Sequence, residues 1–146
     1  MDKEALLKNV DLFSALKRKV IKSLAASCVE RSFKEGDALV EQGDSGRGLY
    51  IIVSGKVKIV KETVSGDQLE IAILGPGEFF GEMAVLDDAP RSASVYALEE
   101  TRCLLLTAWD FKATMKTHPE IALEILPVVV KRFRETNDKL LALSRI

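Results

Sequence analysis

The chain has a single histidine, His118, and two cysteines, Cys28 and Cys103. One imidazole cannot build the multi-histidine site of a metal-dependent β-barrel enzyme, and two thiols this far apart have no metal-ligand spacing. They read as buried or half-buried thiols of a reducing compartment rather than as a disulfide. There is no basic excess either. Against 21 Lys and Arg stand 22 Asp and Glu, a net charge of −1, which argues against a dedicated nucleic-acid binder. The apolar runs are too short to span a bilayer, and the N-terminus, charged from Asp2 onward, is unlike a signal peptide. The expected setting is the cytoplasm, with no membrane contact.

What is present suits one globular domain over residues 1–146. Hydrophobic residues make up 47% and charged residues 29%, and a chain of this length buries roughly two-thirds of its unfolded surface. The helical spacing of Leu6, Leu7, Val10, Leu16, Val20, Ile21 and Leu24 predicts helices over about residues 1–28. Asn9 and Asp11 interrupt the pattern, so two short helices are expected. The basic run Lys17, Arg18, Lys19 and Lys22 reads as a solvated helix face.

From Val29 to Thr107 the pattern changes to short runs of strand formers between recurring glycines: Leu39–Val40, Leu49–Val53, Lys56–Val60, Leu69–Leu74, Ala93–Leu98 and Cys103–Thr107. Such spacing predicts an antiparallel barrel or sandwich, with a hairpin turn at Ser65-Gly66-Asp67. Over residues 108–146 the helical period returns. Trp109, Phe111, Ala113 and Met115 begin a short helix, with Trp109 and Phe111 read as core anchors. Pro119 opens a long last helix that Pro127 kinks or restarts. Along it Val129, Phe133, Thr136, Leu140 and Leu143 fall at alternating spacings of four and three, a heptad seam that predicts a homodimer.

The segment richest in chemistry runs from Gly81 to Ala93. Gly81 removes a side chain where the backbone must approach something closely. Glu82-Met83-Ala84-Val85-Leu86 suits about one helical turn whose leading amides favour an anion. After Pro90, Arg91 offers a permanent planar cation for phosphate oxygens, and Ser92 a hydroxyl or an amide. Glu82 repels a phosphate unless the ligand also brings a hydroxyl donor, as a ribose does, because an ionised carboxylate only accepts. Asp87 and Asp88 read as an exposed acidic turn. Neither a nucleophile beside a base nor a carboxylate pair with a raised pKa is apparent, so no catalytic residue, no metal and no cofactor are expected.

Gly81-Glu82-Met83-Ala84, the spacer Val85 to Ala89, and Pro90-Arg91-Ser92-Ala93 together resemble the phosphate-binding cassette of the cyclic-nucleotide-binding domain superfamily. Gly43-Asp44, Leu49-Tyr50-Ile51-Ile52 and Gly55 resemble that family's upstream pattern, and Leu12-Phe13 its helical entry, so the likeness runs from about Leu12 to Leu140. It implies an eight-stranded β-roll flanked by helices. It also implies site roles: backbone donors at Gly81 and Ala84, with a further amide from Ala93, Glu82 for the ribose hydroxyl, and Arg91 and Ser92 for the cyclic phosphate; Met83, between Glu82 and Ala84, is counted among the ligand-binding residues.

The reading is thus a mainly β, non-enzymatic regulatory domain that binds a cyclic mononucleotide, cAMP before cGMP, and moves its C-terminal helices in response. Thr136-Asn137 aligns with a Thr-Ser pair that reaches adenine across the dimer of catabolite-activator-type regulators. Both side chains donate and accept, so chemistry leaves the base open. Two alternatives remain. The chain is the sensor half of such a transcription factor, because it stops at Ile146 where a helix-turn-helix would follow and so would not bind DNA by itself. More remotely, it is a cupin-like enzyme.

Overall fold

Asp2 starts the first helix, its carboxylate accepting from the Ala5 amide at 3.1 Å. The computed structural model describes residues 2–45, 48–87 and 89–144. Helix α1 (Lys3–Lys8) ends where Asn9 was expected to interrupt the periodicity, a 3-10 turn spans Asp11–Phe13, and α2 (Arg18–Ser27) follows. Leu7, Val10, Phe13, Val20, Ile21 and Leu24 all turn inward, while Lys17, Arg18, Lys19 and Lys22 face solvent.

Eight strands come next: β1 (Val29–Phe33), β2 (Ala38–Val40), β3 (Gly48–Ser54), β4 (Val57–Glu62), β5 (Gln68–Leu74), β6 (Phe79–Phe80), β7 (Ser94–Ala97) and β8 (Thr101–Thr107). Helix α3 (Glu82–Asp87) lies between β6 and β7, and α4 (Ala108–Thr117) and α5 (Glu120–Ser144) close the described chain. The strands form two antiparallel sheets ordered β1-β8-β3-β6 and β2-β7-β4-β5. This is the expected β-roll with helices at both ends.

Strands β3 and β8 are apolar almost throughout because each is buried on both faces. Leu49 and Ile51 of β3, with Leu104 and Leu106 of β8, pack on the helices beside Phe13, Phe111, Ile121 and Ile125. The alternate residues Ile52 and Cys103 face the second sheet, where Leu39, Val57, Phe80, Val95 and Ala97 complete an inner core. Burial pushes the thiols of Cys28 and Cys103 up to about 11 and about 12, so both stay protonated and inert near neutrality. Opposite the Ile59–Val60 step an extra residue, Ile71, bulges from β5, while β4 keeps an unbroken register with β7; Val57 and Val60 are buried and Ile59 packs partly on the inner core. The β4–β5 hairpin turns at Gly66, whose φ is 90°, as its Ser-Gly-Asp signal requires.

Two strands lay outside the sequence reading. Val29–Phe33 is a largely exposed edge strand without an apolar run, and Phe79–Phe80 is only two residues long. One expectation fails. Phe111 is buried, but Trp109 is 82% exposed. Two residues along a helix turn the side chain by about 200°, so Trp109 and Phe111 lie on opposite faces, and Thr114 rather than Ala113 joins Phe111 inside. Helix α5 begins just after Pro119 and runs unbroken through Pro127. Asp87 is exposed and its carboxylate accepts from the Ala89 amide at 2.9 Å, as an acidic turn does; Asp88 lies outside the described residues.

Gly55 joins β3 to β4 at φ 95°, and a Cβ there would meet the Glu100 carbonyl at 2.5 Å and Thr101 Cα at 2.7 Å. Gly36 has nearly the same φ of 89° but nothing within 4 Å of the added atom. Gly36→Ala is therefore expected to destabilise by about 1–2 kcal/mol, the cost of the left-handed region alone. Gly55→Ala is expected to cost clearly more, because backbone must move as well. Urea denaturation of both variants checks this, and equal losses would show that the turn relaxes freely.

Candidate functional site

The chain from Phe80 to Val95 wraps one side of a cleft of about 220 Å³ between the end of the second sheet and α3. Its floor is apolar, built from Val40, Ile59, Phe80 and Val95, and its rim carries Gly81, Glu82, Arg91, Ser92 and Ala93. Five of the nine residues selected from sequence thus converge here. The backbone of residues 83 and 84 continues α3, but the side chains of Met83 and Ala84 lie outside what the structure describes. Thr136 and Asn137 sit exposed on α5, where the Thr136 hydroxyl donates to the Arg132 carbonyl at 2.9 Å.

Arg91 is the centre of the arrangement. Its side chain is only 6% exposed, and Nη2 donates to the Gly48 carbonyl at 2.7 Å. The guanidinium lies against Gly81, whose φ is 93°; a Cβ there would collide with Arg91 Nη1 and approach the Gly48 carbonyl at 2.6 Å. Glycine at 81 therefore serves two needs, a left-handed backbone and room for the cation. The backbone of Arg91 is clamped too. Its amide donates to the Asp44 carbonyl at 2.7 Å, and its carbonyl accepts from the Gly43 amide at 2.9 Å. This clamp gives the Gly43-Asp44 pair its structural meaning.

Burial lowers the Arg91 pKa below its ordinary value, while Tyr50, Glu82 and Asp44 act in the opposite direction. The guanidinium stays charged, since arginine starts far above neutrality. Among the described residues, Arg91 Nε is the one buried side-chain nitrogen or oxygen without a hydrogen-bond partner. A buried donor left unmatched costs about 1–3 kcal/mol, and an anion accepting from it in the cleft would recover that cost.

Helix α3 supplies the other half of the rim. The Val85 amide bonds the Gly81 carbonyl at 3.3 Å, so the first-turn amides have no acceptor within the helix. Glu82 stands at its first position and faces Arg132 of α5, with Oε1 3.5 Å from Nη1. The Arg132 guanidinium also lies 4.1 Å from the centroid of the Phe79 ring, a cation–π contact. The sequence reading did not place Arg132 in the site. Its one sequence signal is that it precedes Thr136 by four residues and so shares that helix face. Tyr50 stacks on Phe80 with ring centroids 5.0 Å apart and meets Phe33 edge-on at 6.3 Å, which fixes β6 immediately before Gly81.

Comparison with known proteins bears on the same segment. The family model for the cyclic nucleotide-binding domain matches residues 30–118. The chain is 35% identical over 138 residues to the cyclic AMP receptor protein of Thermus thermophilus, covering 94% of this chain and 64% of that protein. The N-terminal domain of a transcriptional regulator from Streptomyces coelicolor A3(2) superposes with a TM-score of 0.79 at 36% identity, covering 95% of each chain. The regulatory domain of Toxoplasma gondii PKA, co-crystallised with cAMP, superposes with a TM-score of 0.73 at 30% identity, over 77% of this chain and 42% of that one. The chain spans 61–64% of the length of the first curated relatives it matches. A buried arginine under a positive-φ glycine thus sits within a segment and a fold shared with these regulators, and the chain belongs to the cyclic nucleotide-binding domain family.

Proposed function

We propose that this chain binds cAMP in the Gly81–Ala93 cleft and converts occupancy into a shift of α5. The observation that carries the reading is the buried Arg91 guanidinium with its unmatched Nε at the cleft rim. In this reading the cyclic phosphate accepts from Arg91, from Ser92 and Ala93, and from the leading amides of α3 at Glu82, Met83 and Ala84. The ribose 2′-hydroxyl donates to Glu82. A carboxylate accepts about four hydrogen bonds, so Glu82 holds the ribose and Arg132 together, and the ligand draws α5 toward the cassette. The ligand then stabilises whichever arrangement of α5 permits that contact. The preference for cAMP leans on the names of the relatives, among them the Thermus receptor and the Toxoplasma regulatory domain.

Calorimetric titration with cAMP and cGMP is the direct test. Arg91→Ala is expected to weaken cAMP by roughly 2–5 kcal/mol, the cost of removing one partner of a buried charge pair, with the fold intact by circular dichroism. Glu82→Gln is expected to lose less and to narrow the gap between cAMP and its 2′-deoxy analogue. Parent-like affinity in Arg91→Ala would sink the assignment.

The chain is further proposed to form a homodimer through α5. Phe133, Leu140 and Leu143 are 59–66% exposed, an apolar stripe left uncovered by the described residues of this subunit. Val129 differs in packing partly on its own core. Leu126 falls seven residues before Phe133 and is also exposed, which extends the seam by one step. Charged residues at 133 and 140 should give monomers in sedimentation analysis, whereas a parent that sediments as a monomer at high micromolar concentration would contradict the dimer.

In such a dimer Thr136 and Asn137, one from each subunit, reach the base. Thr136→Val keeps the shape and removes the hydroxyl, and is expected to weaken cAMP by about 0.5–1.5 kcal/mol, the net worth of one hydrogen bond, with a smaller change for cGMP. Equal changes for both nucleotides would show that α5 does not read the base. A second reading, the sensor portion of a longer cytoplasmic transcription factor, is favoured by the partial coverage of the relatives. A longer reading frame encoding a DNA-binding segment would establish it.

A further inference from the structure

Strand β7 lies between β2 and β4, and its pairing with β4 runs Val57 with Ala97, Lys58 with Tyr96, Ile59 with Val95 and Val60 with Ser94. Continued by the same antiparallel register, the ladder would pair Lys61 with Ala93 and Glu62 with Ser92. It does not continue. β7 begins at Ser94, β4 runs on to Glu62, and Ser92 and Ala93 turn aside to line the cleft. The end of β4 would then carry an unpaired amide and carbonyl at Glu62, a ready site for the cassette backbone to pair with.

That site is taken by a side chain. The carboxamide of Gln42, just beyond β2, accepts from the Glu62 amide at 2.8 Å and donates to the Glu62 carbonyl at 3.2 Å. A carboxamide carries donor and acceptor in one plane, as a peptide group does, so it reproduces the two bonds of a strand pair. The Gln42 backbone amide meanwhile donates to Ser94 Oγ at 2.8 Å, and the next two residues, Gly43 and Asp44, clamp the backbone of Arg91.

We infer that Gln42 is a positioning residue for the anion site: its carboxamide substitutes for Ser92 in the β4 ladder, which frees the Ser92–Ala93 backbone for a ligand, and it anchors the loop that clamps Arg91. The inference rests on the proposed ligand reading of the cleft, but the geometry of the brace is independent of any ligand. Glutamine suits the place for three reasons. Asparagine is one methylene shorter. Glutamate keeps the bond from the Glu62 amide but turns the second bond into a repulsion between oxygens. Alanine leaves Glu62 open to Ser92.

Two measurements on the whole chain separate the brace from the ligand reading. The first is amide hydrogen exchange of the ligand-free protein by NMR. Gln42→Ala should speed exchange at Gly43 and Arg91 by roughly tenfold, the effect of losing about 1.4 kcal/mol of local protection, with the β1–β8 ladder unchanged. Faster exchange across that ladder as well would mean that Gln42 serves overall stability, and would overturn the inference. The second is cAMP titration. Gln42→Ala should weaken binding about tenfold, Gln42→Glu by less, and the loss should nearly vanish in an Arg91→Ala background, as for residues acting through one another. Equal losses with and without Arg91, or none at all, would overturn it. A parent that does not bind cAMP defeats the ligand reading alone, and the exchange measurement then decides the brace.

Discussion

Burying one guanidinium organises this molecule. A cation moved out of water must be matched by acceptors and nearby negative charge, or it destabilises the fold by several kcal/mol. Arg91 meets that demand from several separate parts of the chain: the Gly48 carbonyl of β3 accepts from the guanidinium, Tyr50, Glu82 and Asp44 favour its charge, and the Gly43-Asp44 loop holds its backbone in place. Each explains a local choice. Gly81 lacks a side chain because the guanidinium occupies that space, and Gly48 lacks one because β3 lies tight against β8, with the Leu106 carbonyl at 2.5 Å from any added Cβ. The buried Nε of the cation has no hydrogen-bond partner among the described residues, and the proposed reading of the cleft rests on that atom.

The same geometry ties the site to the helices. Strand β6 is two residues long, and its side chains point opposite ways. Phe80 stacks on Tyr50 inside the roll, while Phe79 belongs to the helix-facing core and meets Arg132 of α5. Gly81 and α3 follow at once. Phe79 and Glu82, on either side of Phe80 and Gly81, both meet Arg132 of α5.

Much of this was legible beforehand. Glycine spacing and apolar runs located six of the eight strands, and Asn9 and Asp11 marked the break between the first helices. Of the residues selected from the Gly81–Ala93 pattern, Gly81, Glu82, Arg91, Ser92 and Ala93 share one cleft. The failures have physical causes. Val29–Phe33 is a strand only because β8 lies beside it to pair with, and its own side chains are mostly exposed. Trp109 was assigned inward on its apolarity, although its position two residues from Phe111 puts it on the other helix face.

What the sequence by itself determined is therefore what depends on local geometry and composition: where most helices and strands begin, where the chain needs a positive φ, and which short segment lines the cleft. Only the tertiary structure decided which distant groups complete that segment. Arg132 lies fifty residues beyond Glu82, and Gln42 twenty before Glu62. Neither stands in a pattern that betrays its partner, because a side chain that reaches across the fold is constrained by where two elements meet in space. The register of β7 against β4, and the place where it stops, settle that meeting.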